Sequence, residues 1–279
     1  MVLAAGCSRV DTLRLAHANE GTPVEWPAGR VSVELELRVP ADGRVWLPVS
    51  VDGNAAIPFL LQSSAGAIAI TGARAAGFGP AGAGRLTLHD PVLPGIRGGL
   101  LIKQRRLALD TLVLGDQSLL LVDPGEWPHG QPGRGAAGVL GYDLFRRFVV
   151  ELDVTGSRLS LYRAGMLDIG AMPDAQRLAI LGRLPYFEAW LEPRRAPARW
   201  VRLQFEPGAP VGVCLDQASR GGAVVIAGQR IELADTPCPA AESLPGRAER
   251  DGIFGAAALQ GLVVSVDYEG RRIGFRPRE

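Results

Sequence analysis

From Val31 the chain alternates apolar and polar residues over nine positions, Val31 to Val39, the period of a strand with one buried face. Pro40-Ala-Asp-Gly-Arg then reads as a turn, Val45 to Val51 as a second strand, Asp52-Gly-Asn as another turn, and Ile57-Pro-Phe-Leu-Leu as a third strand. Strand, turn and strand at this spacing predict an all-β sheet or barrel. Helical signals are short, the better ones being Thr71 to Ala76 and Tyr142 to Phe148. Residues 8 to about 29 carry little periodicity and read as a linker. The sequence 1–22 is assigned to a leader remnant and linker, 23–165 to one lobe and 166–279 to a second, shorter one.

The second lobe follows from a repeat. Gly138-Val-Leu-Gly, the Val149-Val150 pair, Asp153, Gly156 and Arg158 coincide with Gly252-Ile-Phe-Gly, Val263-Val264, Asp267, Gly270 and Arg272. Upstream, Ile57-Pro-Phe-Leu-Leu-Gln-Ser-Ser-Ala aligns with Val211-Gly-Val-Cys-Leu-Asp-Gln-Ala, with a short insertion further on. The chain is expected to be a duplicated β unit.

Composition narrows the classes. Of 279 residues, 47% are hydrophobic, which is enough for a sizeable core. Thirty Lys+Arg against 29 Asp+Glu leave a net charge of +1, which argues against a nucleic-acid binder. The basic side is almost all Arg, and the Arg194, Arg195, Arg199 and Arg271, Arg272, Arg276 groups read as solvated faces. Three Cys and the scattered His17, His89 and His129 give no zinc spacing, so no metal or cofactor is expected. Gly77-Phe-Gly-Pro-Ala-Gly82 fits G-x-G-x-x-G, but Pro80 lies inside it and no helical run follows, so it reads as a loop. No apolar run approaches the roughly 18 residues of a spanning helix.

An apolar strand leading into a three-residue turn, Ala, a second strand and a later apolar-apolar-Gly closure resembles the aspartic proteases. Gly138-Val-Leu-Gly-Tyr-Asp-Leu-Phe-Arg-Arg-Phe148 is similar to the bacterial retropepsin-like branch. The resemblance implies duplicated acid-protease-like β-barrel lobes, joined in one chain as in pepsin. It also implies an aspartate in each turn, the two sharing a proton around a water. At those positions this chain has Gln62-Ser63-Ser64 in lobe one and, by the alignment above, Asp216-Gln217-Ala218 in lobe two. Gln62 cannot titrate, so one carboxylate stands where two are needed. Lobe two is also short: 76 residues separate Gln62 from Gly138, but only 36 separate Asp216 from Gly252. A substrate flap is therefore expected only in lobe one, between Leu86 and Leu109.

Other residues are read around that frame. Asp153 and Asp267 sit before equivalent turns as structural strand-end residues, and Asp143 and Asp251 read as surface or turn residues. Trp127 is expected to pack on a loop. Cys214 and Cys238 either pair in an oxidising compartment or stand as two small buried hydrophobes. Met1-Val-Leu-Ala-Ala-Gly-Cys7 resembles the end of a bacterial lipoprotein signal, which implies lipidation of Cys7 and retention at the outer membrane on the periplasmic side. The expected function is that of a catalytically degenerate protease-like monomer holding an extended peptide or protein segment between its lobes. The alternatives are an active endopeptidase relying on Asp216 and a structural envelope protein with no cleft ligand.

Overall fold

The computed structural model describes residues 14–40, 43–72, 85–88, 93, 96–123, 137–217, 221–238 and 250–278. Cys7, most of the helix expected at 71–76, the 77–82 glycine motif, His89, Trp127, His129 and Ala218 lie outside the described residues. Lobe one contains β1 (Val24–Glu25), β2 (Ser32–Glu36), β3 (Trp46–Val51), β4 (Ile57–Leu61), β5 (Ala69–Thr71), β6 (Arg85–Thr87), β7 (Gly98–Leu109), β8 (Leu112–Val122), β9 (Gly138–Leu140), β10 (Val149–Asp153) and β11 (Arg158–Tyr162). Lobe two contains β12 (Gln176–Arg177), β13 (Ala179–Leu181), β14 (Leu184–Pro193), β15 (Arg199–Glu206), β16 (Val213–Leu215), β17 (Gly222–Ile226), β18 (Gln229–Glu232), β19 (Gly252–Gly255), β20 (Leu262–Asp267) and β21 (Arg272–Pro277). The architecture is the expected all-β pair of barrel lobes. Thr71 closes a strand rather than opening a helix, and the second helical signal is a single turn, Tyr142–Phe145.

The alternation that predicts β2 is realised directly: Val33 and Leu35 are buried, Glu34 and Glu36 exposed. Tight turns follow the φ > 0 requirement of two-residue hairpins. Gly182-Arg183 joins β13 to β14 and Ala227-Gly228 joins β17 to β18, each pair with both φ values positive, and Asp52-Gly53, also both positive, opens the five-residue connection from β3 to β4.

Three sheets organise the described residues: one for each lobe and a six-stranded sheet, β12-β21-β20-β10-β11-β2, shared between them. At its centre β10 and β20 are antiparallel, with Val150 opposite Val266, Glu151 opposite Ser265 and Leu152 opposite Val264. These are the two copies of the repeat. Matching Val150 to Val264 and Leu152 to Val266 makes the outer two pairs exchange under a two-fold rotation, so the pseudo-dyad passes between Glu151 and Ser265. The Ser265 hydroxyl donates to the Glu151 carboxylate across that axis (3.1 Å). The repeated aspartates perform identical local work. Asp153 accepts from Gly156 N–H (2.7 Å) and Asp267 from Gly270 N–H (2.8 Å). A Cβ on either glycine would collide with the carboxylate, at 2.2 and 2.3 Å.

The stretch read as linker is partly integral to lobe one. Leu15, Ala16 and Asn19 are buried. Asn19 exchanges hydrogen bonds with the Ser118 backbone and donates to Asp143 (2.8 Å). Asp143 is accordingly a buried anchor rather than a surface residue; burial pushes its carboxyl up despite Asn19 and the nearby Arg147. Asp251 pairs with Arg199 (3.0 Å) and accepts from Arg202 N–H.

The lobes differ in one layer. In lobe one, 26 residues separate β5 from β7, and within them β6 forms a hairpin with β7. Leu86, Leu88, Leu93, Ile96 and Leu101 then cover Trp46, Leu60, Ala69 and Val139 as a second core. In lobe two, six residues separate β16 from β17, leaving no room for that hairpin. Its place beneath is taken by a small cluster of Cys214, Cys238 and Ile253. The two cysteines are disulfide-bonded, with Cα atoms 5.0 Å apart. The bond ties β16 to the segment after β18 across 24 residues of sequence. Replacing both cysteines by serine should therefore lower stability by about 3 kcal/mol, read from urea unfolding.

Candidate functional site

The turns at the lobe interface are located by the strands that enter them. In lobe one, β4 runs parallel to β9, with Leu61 beside Leu140, and the chain then turns through Gln62-Ser63-Ser64-Ala65. Ala65 N–H donates to Gln62 O (2.9 Å), and Tyr142 N–H donates to Ala65 O (2.8 Å). In lobe two, β15 runs parallel to β19, with Phe205 beside Phe254, and turns through Glu206-Pro207-Gly208-Ala209. Ala209 N–H donates to Glu206 O (3.0 Å), and Ala256 N–H donates to Ala209 O (2.8 Å). Gly141 and Gly255 permit the same close approach, since a Cβ on either would lie 2.7 and 2.8 Å from those alanine carbonyls.

The counterpart of Gln62 is therefore Glu206, not Asp216. Asp216 lies one strand later, where its N–H donates to Asp251 O (2.8 Å) as Thr71 N–H donates to Ala137 O in lobe one. Its carboxylate is exposed and held in a fork by Arg250 (3.0 and 3.2 Å), whose guanidinium also donates to Gln204 (2.6 Å). Gln217, next to it, is exposed. The positions expected to supply a catalytic Asp216 and a binding Gln217 thus fall on the outside of lobe two, in the layer that the absent hairpin would have covered. Among the other expected site residues, Gln62, Ser63 and Ser64 do lie at the lobe interface.

That interface is asymmetric. The Ser63 hydroxyl crosses to the Phe205 carbonyl (2.5 Å). The symmetry-related position is Pro207, which has neither a hydroxyl nor an N–H to return the bond. Glu206 supplies the return instead. Its Oε1 accepts from Ser63 N–H (3.0 Å) and from Gly208 N–H (3.2 Å). Its Oε2 accepts from Ser64 N–H (2.9 Å) and, at 3.5 Å, from the Gln204 amide. Gln62 donates to the Ser64 hydroxyl (3.0 Å). Gly208 lets the turns meet, since a Cβ there would sit 3.0 Å from Leu61 O and 3.1 Å from the Gln62 Cβ.

Below the turns lies an aromatic floor. Phe145 of lobe one stacks on Tyr268 of lobe two (5.3 Å between centroids) and meets Phe205 edge-on (6.2 Å). Burial, with the Glu206 charge adding to it, pushes the Tyr268 hydroxyl well above its ordinary range. Burial also pushes the Glu206 carboxyl up, against the pull of its N–H donors, which favour the ionised form. A second crossing lies beside the site: Arg183 of lobe two donates to Ala16 O and Gly66 O and sits over the Tyr142 ring (4.7 Å).

Sequence reasoning missed Glu206 because Phe205-Glu206-Pro207-Gly208 lacks an aspartate, while Val213-Cys-Leu-Asp216 offers one after an apolar run. The usable signal was the shared apolar-x-x-x-Ala frame, Leu61 to Ala65 against Phe205 to Ala209.

With parallel-paired turns meeting across a shared sheet, the molecule has the pepsin-like fold. Among solved structures it is similar to the aspartic proteinase of Irpex lacteus, with 12% identity and a TM-score of 0.52 over 89% of this chain and 98% of that one. It is also similar to basic 7S globulin from soybean, with 13% identity and a TM-score of 0.51 over 88% and 94%. No protein-family model and no curated protein matches the chain.

Removing the Ser63 hydroxyl should cost about 1 to 2 kcal/mol, because it leaves the buried Phe205 carbonyl without its donor; comparing Ser63→Ala with wild type by thermal unfolding measures it. For Glu206, a carboxyl raised in the folded state contributes most below its ordinary value of 4.5 and loses that contribution as the pH rises through its folded value. The stability advantage of wild type over Glu206→Gln should therefore be greatest in mild acid and shrink toward neutrality. The opposite slope would mean that the N–H donors outweigh burial.

Proposed function

We propose that this protein is a non-catalytic member of the pepsin-like fold that holds an extended peptide or protein segment between its lobes. The observation carrying this reading is the state of Glu206. The protease mechanism needs two carboxylates sharing a proton and a water. Here one position is an amide, and at the other both carboxylate oxygens are taken up by N–H donors from the two lobes. A carboxylate so occupied serves as a clasp between turns rather than as a base toward a water. The β6–β7 hairpin, present on lobe one only, offers a strand edge against which a segment can lie. The 138–148 motif supports placing the chain near the bacterial retropepsin-like branch.

We further propose that the protein is exported as a monomer and tethered to the outer membrane through lipid on Cys7, facing the periplasm. The signal-like sequence ending at Cys7 and the Cys214–Cys238 disulfide support this, since such bonds persist in oxidising compartments. Cys7→Ser should move the protein from the membrane to the soluble periplasmic fraction.

The assay that tests the functional reading is cleavage of a denatured protein from about pH 3 to 7, the range in which such dyads work. Wild type should be inactive; pepstatin-sensitive cleavage would overturn the proposal, with Glu206→Gln testing the interface carboxylate and Asp216→Asn, on the outside of lobe two, serving as the control. In parallel, extended peptides from a random pool should raise the melting temperature. If no peptide does so, the structural envelope alternative gains.

A further inference from the structure

The shared sheet ends on β2, whose outer edge has no strand beside it among the described residues. The direction of the backbone groups is fixed by the bonds at either end. Leu37 N–H donates to Ser157 O and Arg163 N–H donates to Val31 O, so the odd-numbered residues of β2 bond inward to β11. The N–H and C=O groups of Ser32, Glu34 and Glu36 therefore point outward. Arg38, next in that outward row, already uses its own groups, exchanging two bonds with Trp46 of β3 (2.9 and 2.8 Å). From that bridge β2 and β3 diverge and enclose a groove of about 420 Å³, lined by Glu34, Leu35, Glu36, Pro48, Ser50, Ala56, Ala108 and Asp110.

We propose that this groove takes an extended basic segment of another protein as an added antiparallel strand on β2. Three observations specify the occupant. Outward backbone groups in a row are a template for main-chain hydrogen bonds. Glu34 and Glu36 stand two residues apart on one face and are both exposed, so they ask for cations at alternate positions of the incoming strand. Glu34 has only a loose partner in Arg158 (3.7 Å), and among the described residues neither Glu36 nor Asp110 forms an ion pair. The residue between two such cations turns toward Leu35, Pro48, Ala56 and Ala108 and is apolar. The same charges reject a second copy of this chain, because antiparallel β2–β2 pairing would set glutamates against glutamates. The occupant thus follows the pattern basic-apolar-basic. None of the lining residues belongs to the turns at Gln62 and Glu206, so this is a separate site from the one between the lobes.

The test uses the peptide Arg-Val-Arg-Val-Arg, blocked at both ends, titrated into the whole protein by calorimetry. It should bind with a strong salt dependence, while Glu-Val-Glu-Val-Glu should not. Glu34→Lys with Glu36→Lys should weaken the basic peptide by about tenfold or more. Glu36→Pro, which deletes one outward N–H at an edge position where proline is tolerated, should weaken it as well. A peptide N-methylated on its edge-facing residues makes the same test without altering the protein. Failure of the basic peptide to bind, equal binding of the acidic one, indifference to the double charge reversal, or full affinity of the N-methylated peptide would each overturn the proposal.

Discussion

One carboxylate holds the centre of this molecule. Glu206 lies where two turns from opposite lobes meet, and it accepts N–H donors from both. Without it the Ser63 and Ser64 amides would be buried with no acceptor across the interface, an uncompensated loss larger than the net worth of an ordinary hydrogen bond. The asymmetry of the site follows from Pro207. A proline there removes both hydroxyl and amide from lobe two's half of the exchange, and a long acidic side chain one residue earlier replaces them. Gly208 completes the fit by letting the lobe-two turn approach Leu61 and Gln62. Glu206, Pro207 and Gly208, three residues in a row, thus close the lobes through an asymmetric contact.

The shared sheet imposes the frame within which that closure works. Its central pair, β10 with β20, is two copies of one segment related by a two-fold axis, so whatever β9 does for lobe one β19 does for lobe two. The axis fixes where the turns must meet; it does not require the lobes to be equally thick. Lobe two has shed its outer hairpin, and its sheet face would be left apolar and open if it kept lobe one's residues. Instead Gln204 stands where lobe one has Leu60, and Arg250 bridges it to Asp216. The disulfide beside them pins the shortened connection. Polar and covalent links thus replace a missing hydrophobic layer.

The legibility of these features in sequence divides along the same line. The all-β class, the duplication, the hairpin confined to lobe one and the structural role of Asp153 and Asp267 could be read because they rest on local periodicity, turn chemistry and direct repetition. The position equivalent to Gln62 in lobe two could not. Equivalence there is set by parallel pairing of β15 with β19, residues some fifty positions apart, and nothing local marks a register of that range. Residue type then misled: an aspartate after Val213-Cys-Leu looks like the chemistry sought, whereas a glutamate before proline does not. The N-terminal stretch failed for a different reason. Its contacts run through Leu15, Asn19, the two-residue β1 and Trp26, with no periodic pattern to announce them.

The same geometry sets what a second acid at position 62 would meet. An aspartate at 62 would find the N–H groups of its own turn already committed to Glu206, since Ser63 and Ser64 both point at the carboxylate from the other lobe. Two acids at such close range repel, and the one with fewer donors is driven to its protonated, neutral form. Shortening Glu206 to aspartate would release those amides but would also remove the clasp, with Pro207 unable to take over its bonds. A paired carboxylate site therefore needs position 207 changed as well, so that a hydroxyl can hold the lobes while the acids face each other. Lobe closure draws on the N–H donors of the lobe-one turn, and in this chain Glu206 takes both of them.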